Sequence, residues 1–257
     1  GYRVRTLHGL AGDIIRERPE LAGLGNDFRI LDEEDARVIL EDLSFEQLKK
    51  REELFRQLLK PDLADKKASE IMGDAKGGMP ALLLDLANSF ISSAKNAGQM
   101  PSDLAILQKS RPSTPLFQIC LDIYKAYQER LKLLGAVDFN DLIHLAWKCL
   151  KTDPDLVRQL AYRWPYILED ESQDSSKQQQ AILQILAEKT GNWVRVGDTN
   201  QAIYQSFTTA DPRLLKEYLA SPNVLAVDLP ESGRSCQRII NLANRLSDWV
   251  QTSHPNE

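Results

Sequence analysis

The sequence predicts a helix-rich α/β chain: a partial parallel sheet flanked by helices, interrupted by a large all-helical insertion. Two observations carry that prediction. From residue 166 onward, short apolar runs alternate with longer amphipathic stretches, the spacing of strand–helix–strand units. Between about residues 32 and 134, apolar residues instead recur at helical spacing almost without a break.

The elements follow in order. Tyr2-Arg3-Val4-Arg5-Thr6-Leu7 alternates as a strand does, and a helix is expected from His8 to about Arg18, ended by Pro19 and the glycines at 23 and 25. Asp32-Glu33-Glu34-Asp35 opens the next helix, its acids placed where the positive end of the helix dipole favours them. Three apolar stripes come next: Leu54, Leu58 and Leu59; Leu83, Leu86, Ala87, Phe90, Ile91 and Ala94; and Leu116, Cys120, Ile123, Tyr127, Leu131 and Leu134. They read as the core of a helix bundle. Asp65 to Pro80, with Gly73, Gly77 and Gly78, reads as an exposed loop. Helices from about Asp138 to Lys151 and from Pro154 to Tyr162 lead into a strand at Tyr166–Glu169. A helix at Ser175–Lys189, a strand at Trp193–Val196, a short helix at Asp211–Ala220, a strand at Val224–Val227 and a helix from about Cys236 to Val250 complete the pattern.

Bulk properties narrow the function classes. A length of 257 residues suits one large domain or two small ones. Hydrophobic residues at 42% and charged residues at 27% are ordinary for a globular protein. A net charge of −5 and a pI near 5.4 carry no overall signature of nucleic-acid binding, so any such contact would be local. No stretch has the length of a membrane-spanning helix and no signal-peptide block opens the chain, so no membrane partner is expected. Cys120, Cys149 and Cys236 are too widely spaced for a zinc or disulfide framework, and a reducing, cytoplasmic (intracellular) setting is expected. The first residue is Gly1 rather than Met, which reads as a fragment or a processed chain.

The chemistry concentrates in two places. Tyr166-Ile167-Leu168-Glu169-Asp170-Glu171-Ser172-Gln173-Asp174 is an apolar run that ends abruptly in carboxylates. At the carboxyl end of a buried strand, one acid can hold Mg²⁺ while its neighbour polarises a water for attack on a phosphoryl group. A second polar cluster, Gly197-Asp198-Thr199-Asn200-Gln201, follows the apolar run Trp193 to Val196. Two such strand-end clusters in series suggest a nucleotide-hydrolysing site. Competing readings make the acids at 170–174 a cap for the helix near Ser175, Gly197-Asp198 an ordinary turn, or Asp170, Glu171 and Asp198 the metal site of an unrelated phosphohydrolase. His144 reads as a core-edge histidine, and Lys49-Lys50-Arg51-Glu52-Glu53 as a solvated helix face.

The motif series resembles the UvrD/Rep/PcrA group of superfamily I helicases. Asp170-Glu171-Ser172-Gln173-Asp174 is similar to that family's motif II, DExQD, and Val196 to Tyr204 followed by Ala210-Asp211 to its motif III, VGDxxQSIYxWRGAD. Thr6-Leu7-His8-Gly9 resembles the TFHS element before the helical insertion, Val137-Asp138-Phe139-Asn140-Asp141-Leu142 the DFDDLL segment after it, and Leu229 to Ser235 stands where motif IV, LxxNYRS, belongs. The resemblance implies a partial RecA-like ATPase domain from residues 1–27 and 135–257, with residues 28–134 as a helical insertion subdomain. It implies ATP and Mg²⁺ as cofactors and single-stranded DNA as partner, with movement 3′ to 5′. Asp170 would bind Mg²⁺, Glu171 would activate the attacking water, Gln201 would sense the γ-phosphate, and Gln173 and Arg234 would contact the nucleotide. Thr6, His8, Tyr204 and Phe207 would contact DNA, the two aromatics as stacking faces for bases.

The chain also departs from the family. No GxxxxGKS/T phosphate loop occurs in the sequence; in the family it lies upstream of TFHS. The expectation is that flanking segments of the same helicase complete the site and that this chain alone is inactive. Gly233 and Ser232 replace motif IV's Tyr and Asn, Thr208-Thr209 follows Phe207 where motif III has Arg, and Glu169 occupies a usually apolar position. A degenerate DNA-binding or protein-interaction module without catalysis is the alternative.

Overall fold

The computed structural model describes residues 2–58, 78–110, 114–201 and 212–253. It is helix-rich, with two small parallel sheets of two strands each. Among the described residues, no helix is long and apolar enough to cross a membrane. The chain divides into two compact units, residues 1–215 and 216–257.

In the first unit, α1 (Leu7–Glu17) starts at Thr6, whose hydroxyl accepts a hydrogen bond from the Gly9 amide. The sequence places this helix correctly, but residues 2–6 form no strand. Tyr2 and Val4 are 92% and 79% exposed: alternation alone builds no strand where no neighbouring backbone completes the ladder. β1 (Arg29–Ile30) precedes α2 (Glu33–Lys50), capped by Asp32 and carrying Glu33, Glu34 and Asp35 in its first turn, as expected. Then come α3 (Glu52–Leu58), α4 (Met79–Asn96), α5 (Pro101–Ser110) and α6 (Pro115–Leu133). Gly135, in the left-handed region at φ 59°, turns the chain after α6 into β2 (Ala136–Val137). β2 runs parallel to β1, pairing Arg29 with Ala136 and Ile30 with Val137. β1 and β2 therefore bracket α2 to α6 as adjacent strands, which the sequence did not predict because each has only two residues.

α7 (Phe139–Thr152) begins in a capping box in which Asp138 and Asp141 each accept from the other's backbone amide. α8 (Pro154–Arg163) starts at Asp153, which accepts from the Asp155 and Leu156 amides. β3 (Ile167–Glu169), α9 (Lys177–Ala187) and β4 (Trp193–Arg195) form a strand–helix–strand unit, with β3 and β4 parallel. α10 (Pro212–Leu219) follows. In the second unit lies α11 (Gln237–Ser253), with Ile239, Leu242, Leu246 and Trp249 exposed along it. The strand expected at Val224–Val227 does not form; Leu225 and Val227 are exposed, and no strand among the described residues pairs with that segment.

Two apolar cores build up around these elements. One gathers α2 to α6, with Tyr124, Tyr127, Ile119 and Leu121 buried on α6 and Leu83, Ala87 and Ile91 on α4. Phe55 is buried on α3, while Leu86 and Leu134 from the expected stripes are exposed; Leu59 and residues 65–77 of the expected loop lie outside the described residues. Burial pushes the Cys120 thiol up to about 11, as expected of a packing cysteine rather than a reactive one. The other core joins α1, α7, α8 and α9 through Ile14, Ile15, Leu142, Leu156 and Ile182. β2 sits between them, Ala136 in the first core and Val137 in the second.

A buried polar hub crosses the same place. Lys95, near the end of α4, has a side chain only 2% exposed. Its Nζ lies 2.5 Å from Asp138 Oδ2 and 2.8 Å from Asp141 Oδ1, and 5.0 Å from the Tyr127 ring centroid. The Tyr127 hydroxyl donates to Asp138 at 2.9 Å. Burial would raise the Asp138 carboxyl, but Lys95 and the surrounding donors outweigh it and hold it below its ordinary value. For Asp141 burial prevails and the carboxyl is raised.

Candidate active site

The site forms where β3 and β4 end. Their register pairs Ile167 with Trp193, Leu168 with Val194 and Glu169 with Arg195. Side chains alternate along a strand, so Glu169 points into the protein while Leu168 and Asp170 stay exposed. The ladder continues past the strands: the Val196 amide donates to the Glu169 carbonyl at 2.8 Å, and the Ser172 amide to the Val196 carbonyl at 3.0 Å. Asp170 and Glu171 are carried out between these two bonds.

Glu171 has φ 51° and ψ 41°, the one non-glycine residue in the left-handed region among the described residues. For an L-residue this costs about 1–2 kcal/mol. A 3₁₀ turn, Ser172–Asp174, follows at once, and α9 starts only at Lys177, capped by Ser176 in a capping box with Gln179. The reading of Asp170 and Glu171 as a helix cap is therefore set aside, since Ser176 fills that role.

Gln173 connects the two polar clusters. It is 2% exposed, its Nε2 donates to Glu171 Oε2 at 2.7 Å, and its Oε1 accepts from the Asp198 amide at 3.1 Å. A Cβ on Gly197 would sit 2.5 Å from that same Oε1 and 2.6 Å from Ser172 Oγ, so the approach of the two segments needs glycine there. Beyond it, a 3₁₀ turn at Thr199–Gln201 lets Gln201 Nε2 donate to Asp198 Oδ2 at 3.0 Å. Glu171, Gln173, Asp198 and Gln201 thus form one hydrogen-bonded series, with Asp170 next to Glu171 and accepting at its Oδ1 from the Glu171 amide.

The remaining expected residues fall elsewhere. Thr6 is the exposed cap of α1. His8 lies in the first turn of that helix, half-buried, edge-on to Phe139 with ring centroids 5.6 Å apart, and burial lowers its pKa. Arg234 is exposed in the bend at 233–235 of the second unit. Tyr204 and Phe207 lie outside the described residues. His144 is half-buried, its Nδ1 without a hydrogen-bond partner among the described residues, and burial lowers its pKa. The sequence reading missed Lys95, although the spacing Ala87, Ile91, Lys95 puts it on a buried helix face.

No group of three or more His, Cys, Asp or Glu side chains forms a metal nest among the described residues. Mg²⁺ does not require one. It keeps several waters and takes one or two carboxylates together with substrate phosphates, which suits the exposed Asp170 and Asp198.

Residues 1–221 match the family model for the UvrD/REP helicase N-terminal domain. The chain belongs to that family. It is 28% identical over 255 residues to the ATP-dependent DNA helicase PcrA of Leuconostoc citreum, covering 99% of this chain and 29% of the relative. It is 30% identical over 247 residues to DNA helicase II of Escherichia coli (strain K12), covering 96% of this chain and 30% of that protein. With the ATP-dependent DNA helicase Rep of Buchnera aphidicola it shares 27% identity over 246 residues, 95% of this chain and 33% of the relative. The chain spans about a third of the length of the curated relatives it matches.

Proposed function

We propose that this chain is part of an ATP-dependent DNA helicase that couples ATP hydrolysis to movement along single-stranded DNA in the 3′ to 5′ direction. Residues 1–27 and 135–257 belong to a partial RecA-like ATPase domain, and residues 28–134 form its helical insertion. The two apolar cores that meet at β2 support that division. The observation that carries the reading is the Gln173 bridge, which gathers Glu171, Asp198 and Gln201 at the carboxyl ends of two parallel strands.

Bound Mg²⁺ would neutralise charge on the phosphoryl oxygens. Asp170 would hold it, directly or through water. Glu171 orients a water and accepts its proton as it attacks the γ-phosphate; its second oxygen is fixed by Gln173. Gln173 is buried with both ends of its amide engaged, and it serves the nucleotide site by positioning these neighbours. Gln201 donates to Asp198 and would respond to the γ-phosphate, and the family resemblance gives Arg234 a nucleotide-contacting role. Thr6, His8, Tyr204 and Phe207 would contact the DNA strand, as the family resemblance implies.

These 257 residues contain no GxxxxGKS/T phosphate loop to cradle the nucleotide. The purified 257-residue chain is therefore expected to show no ATP turnover with Mg²⁺ and single-stranded DNA. Turnover that persists after contaminating ATPase is excluded contradicts this.

A further inference from the structure

Beneath the exposed acids lies a second, buried set of charges. Glu169 and Arg195 are direct partners at the last rung of β3–β4, and their side chains are 4% and 1% exposed. Arg195 Nε donates to Glu169 Oε2 at 2.7 Å, and Trp193 Nε1 donates to the same oxygen at 3.2 Å. The Ser175 hydroxyl donates to Glu169 Oε1 at 2.6 Å. The rest of the guanidinium reaches Gln180 Oε1 at 3.3 Å and the Ser172 carbonyl at 3.5 Å, and it lies over the Trp193 ring.

Such a pair is a poor source of stability. Removing both charges from water offsets most of their attraction, and an apolar pair fills the same space as well or better. What the charged pair supplies is direction. Ser172 immediately follows the left-handed Glu171, and the end of β4 and the residue after it hold it on both sides: the Val196 carbonyl accepts from its amide, and Arg195 donates to its carbonyl. Strained backbone persists only where its surroundings over-determine it. Glu169, Ser175 and Trp193 aim the guanidinium that provides this second hold.

We propose that the buried Glu169–Arg195 pair is a positioning device that clamps the left-handed turn at Glu171 against β4 and so sets the direction of the Glu171 carboxylate. The use of that direction rests on the reading of Glu171 as the water-activating residue. Neither member of the pair touches substrate, since both are buried.

The test is the double variant Glu169→Val/Arg195→Val, with Glu169→Gln as a second variant should the first not fold. Amide hydrogen exchange is followed in the chain, and ATP turnover in the full-length helicase. Exchange at Ser172 and Asp198 is expected to rise at least ~10-fold while amides of α6 keep their protection. The kcat is expected to fall at least ~10-fold with KM for ATP within about threefold, the pattern of lost transition-state geometry. Unchanged exchange at Ser172 overturns the proposal. So does faster exchange with wild-type kcat, provided Glu171→Gln abolishes turnover. If Glu171→Gln leaves turnover intact, the reading of Glu171 falls, and the exchange result alone decides whether the pair holds the turn.

Discussion

Glu171→Gln in the full-length protein is expected to lower ATP turnover by roughly 100- to 10,000-fold, the range contributed by a positioned general base. The substitution keeps size and shape. The Gln173 amide still finds an acceptor in the new side-chain oxygen, so the bridge to the Asp198 amide is retained and thermal stability should change little. What is lost is the ability to accept the water's proton. Binding of ATP should survive, because the proposed role of Glu171 is on the water rather than on the nucleotide. Steady-state turnover and equilibrium nucleotide binding, measured side by side, separate the two. Turnover within about threefold of wild type would remove Glu171 from the assigned role.

Lys95→Met is expected to destabilise the chain by about 3–5 kcal/mol at neutral pH, because it leaves the buried carboxylates of Asp138 and Asp141 facing each other without their cation. The pH dependence identifies the cause. In the wild type Asp138 is lowered, so its contribution is present above its unfolded pKa and is lost as the pH falls. Asp141 is raised, so the folded state is favoured when it is protonated, and that advantage is lost as the pH rises through its folded value. Without Lys95 both carboxyls are raised. The variant should therefore lose stability as the pH rises through the acidic range, and its deficit relative to wild type should be smallest in acid. Denaturant unfolding between pH 4 and 8 measures this; a deficit independent of pH would mean that lost packing, not charge, is responsible.

The parts of the fold and site that were legible in the sequence are those set by local pattern. The acids after Tyr166-Ile167-Leu168 and the polar cluster after Trp193 to Val196 stand out because charge abuts an apolar run, and the structure does place them at adjacent strand ends. The caps Asp32, Asp138 and Asp153 act within three residues and can be read directly. What was not legible depends on partners far away in the chain. Gln173 meets the Asp198 amide across 25 residues, Arg195 meets Glu169 across 26, and Lys95 meets Asp138 across 43. Glu169 was noticeable as an acid in an apolar position, but its partner follows only from the register of β3 and β4. Tyr2–Leu7 and Val224–Val227 show the converse error, an alternating or apolar run taken for a strand where no strand among the described residues pairs with it.

The most direct measurement is ATP turnover by the full-length protein with Mg²⁺, in the presence and absence of single-stranded DNA. A nucleotide site coupled to a DNA strand through Gln201 predicts turnover that is low without DNA and rises strongly when the strand is added. Turnover indifferent to DNA, or none under either condition, would contradict the assignment of this chain to an ATP-driven DNA translocase.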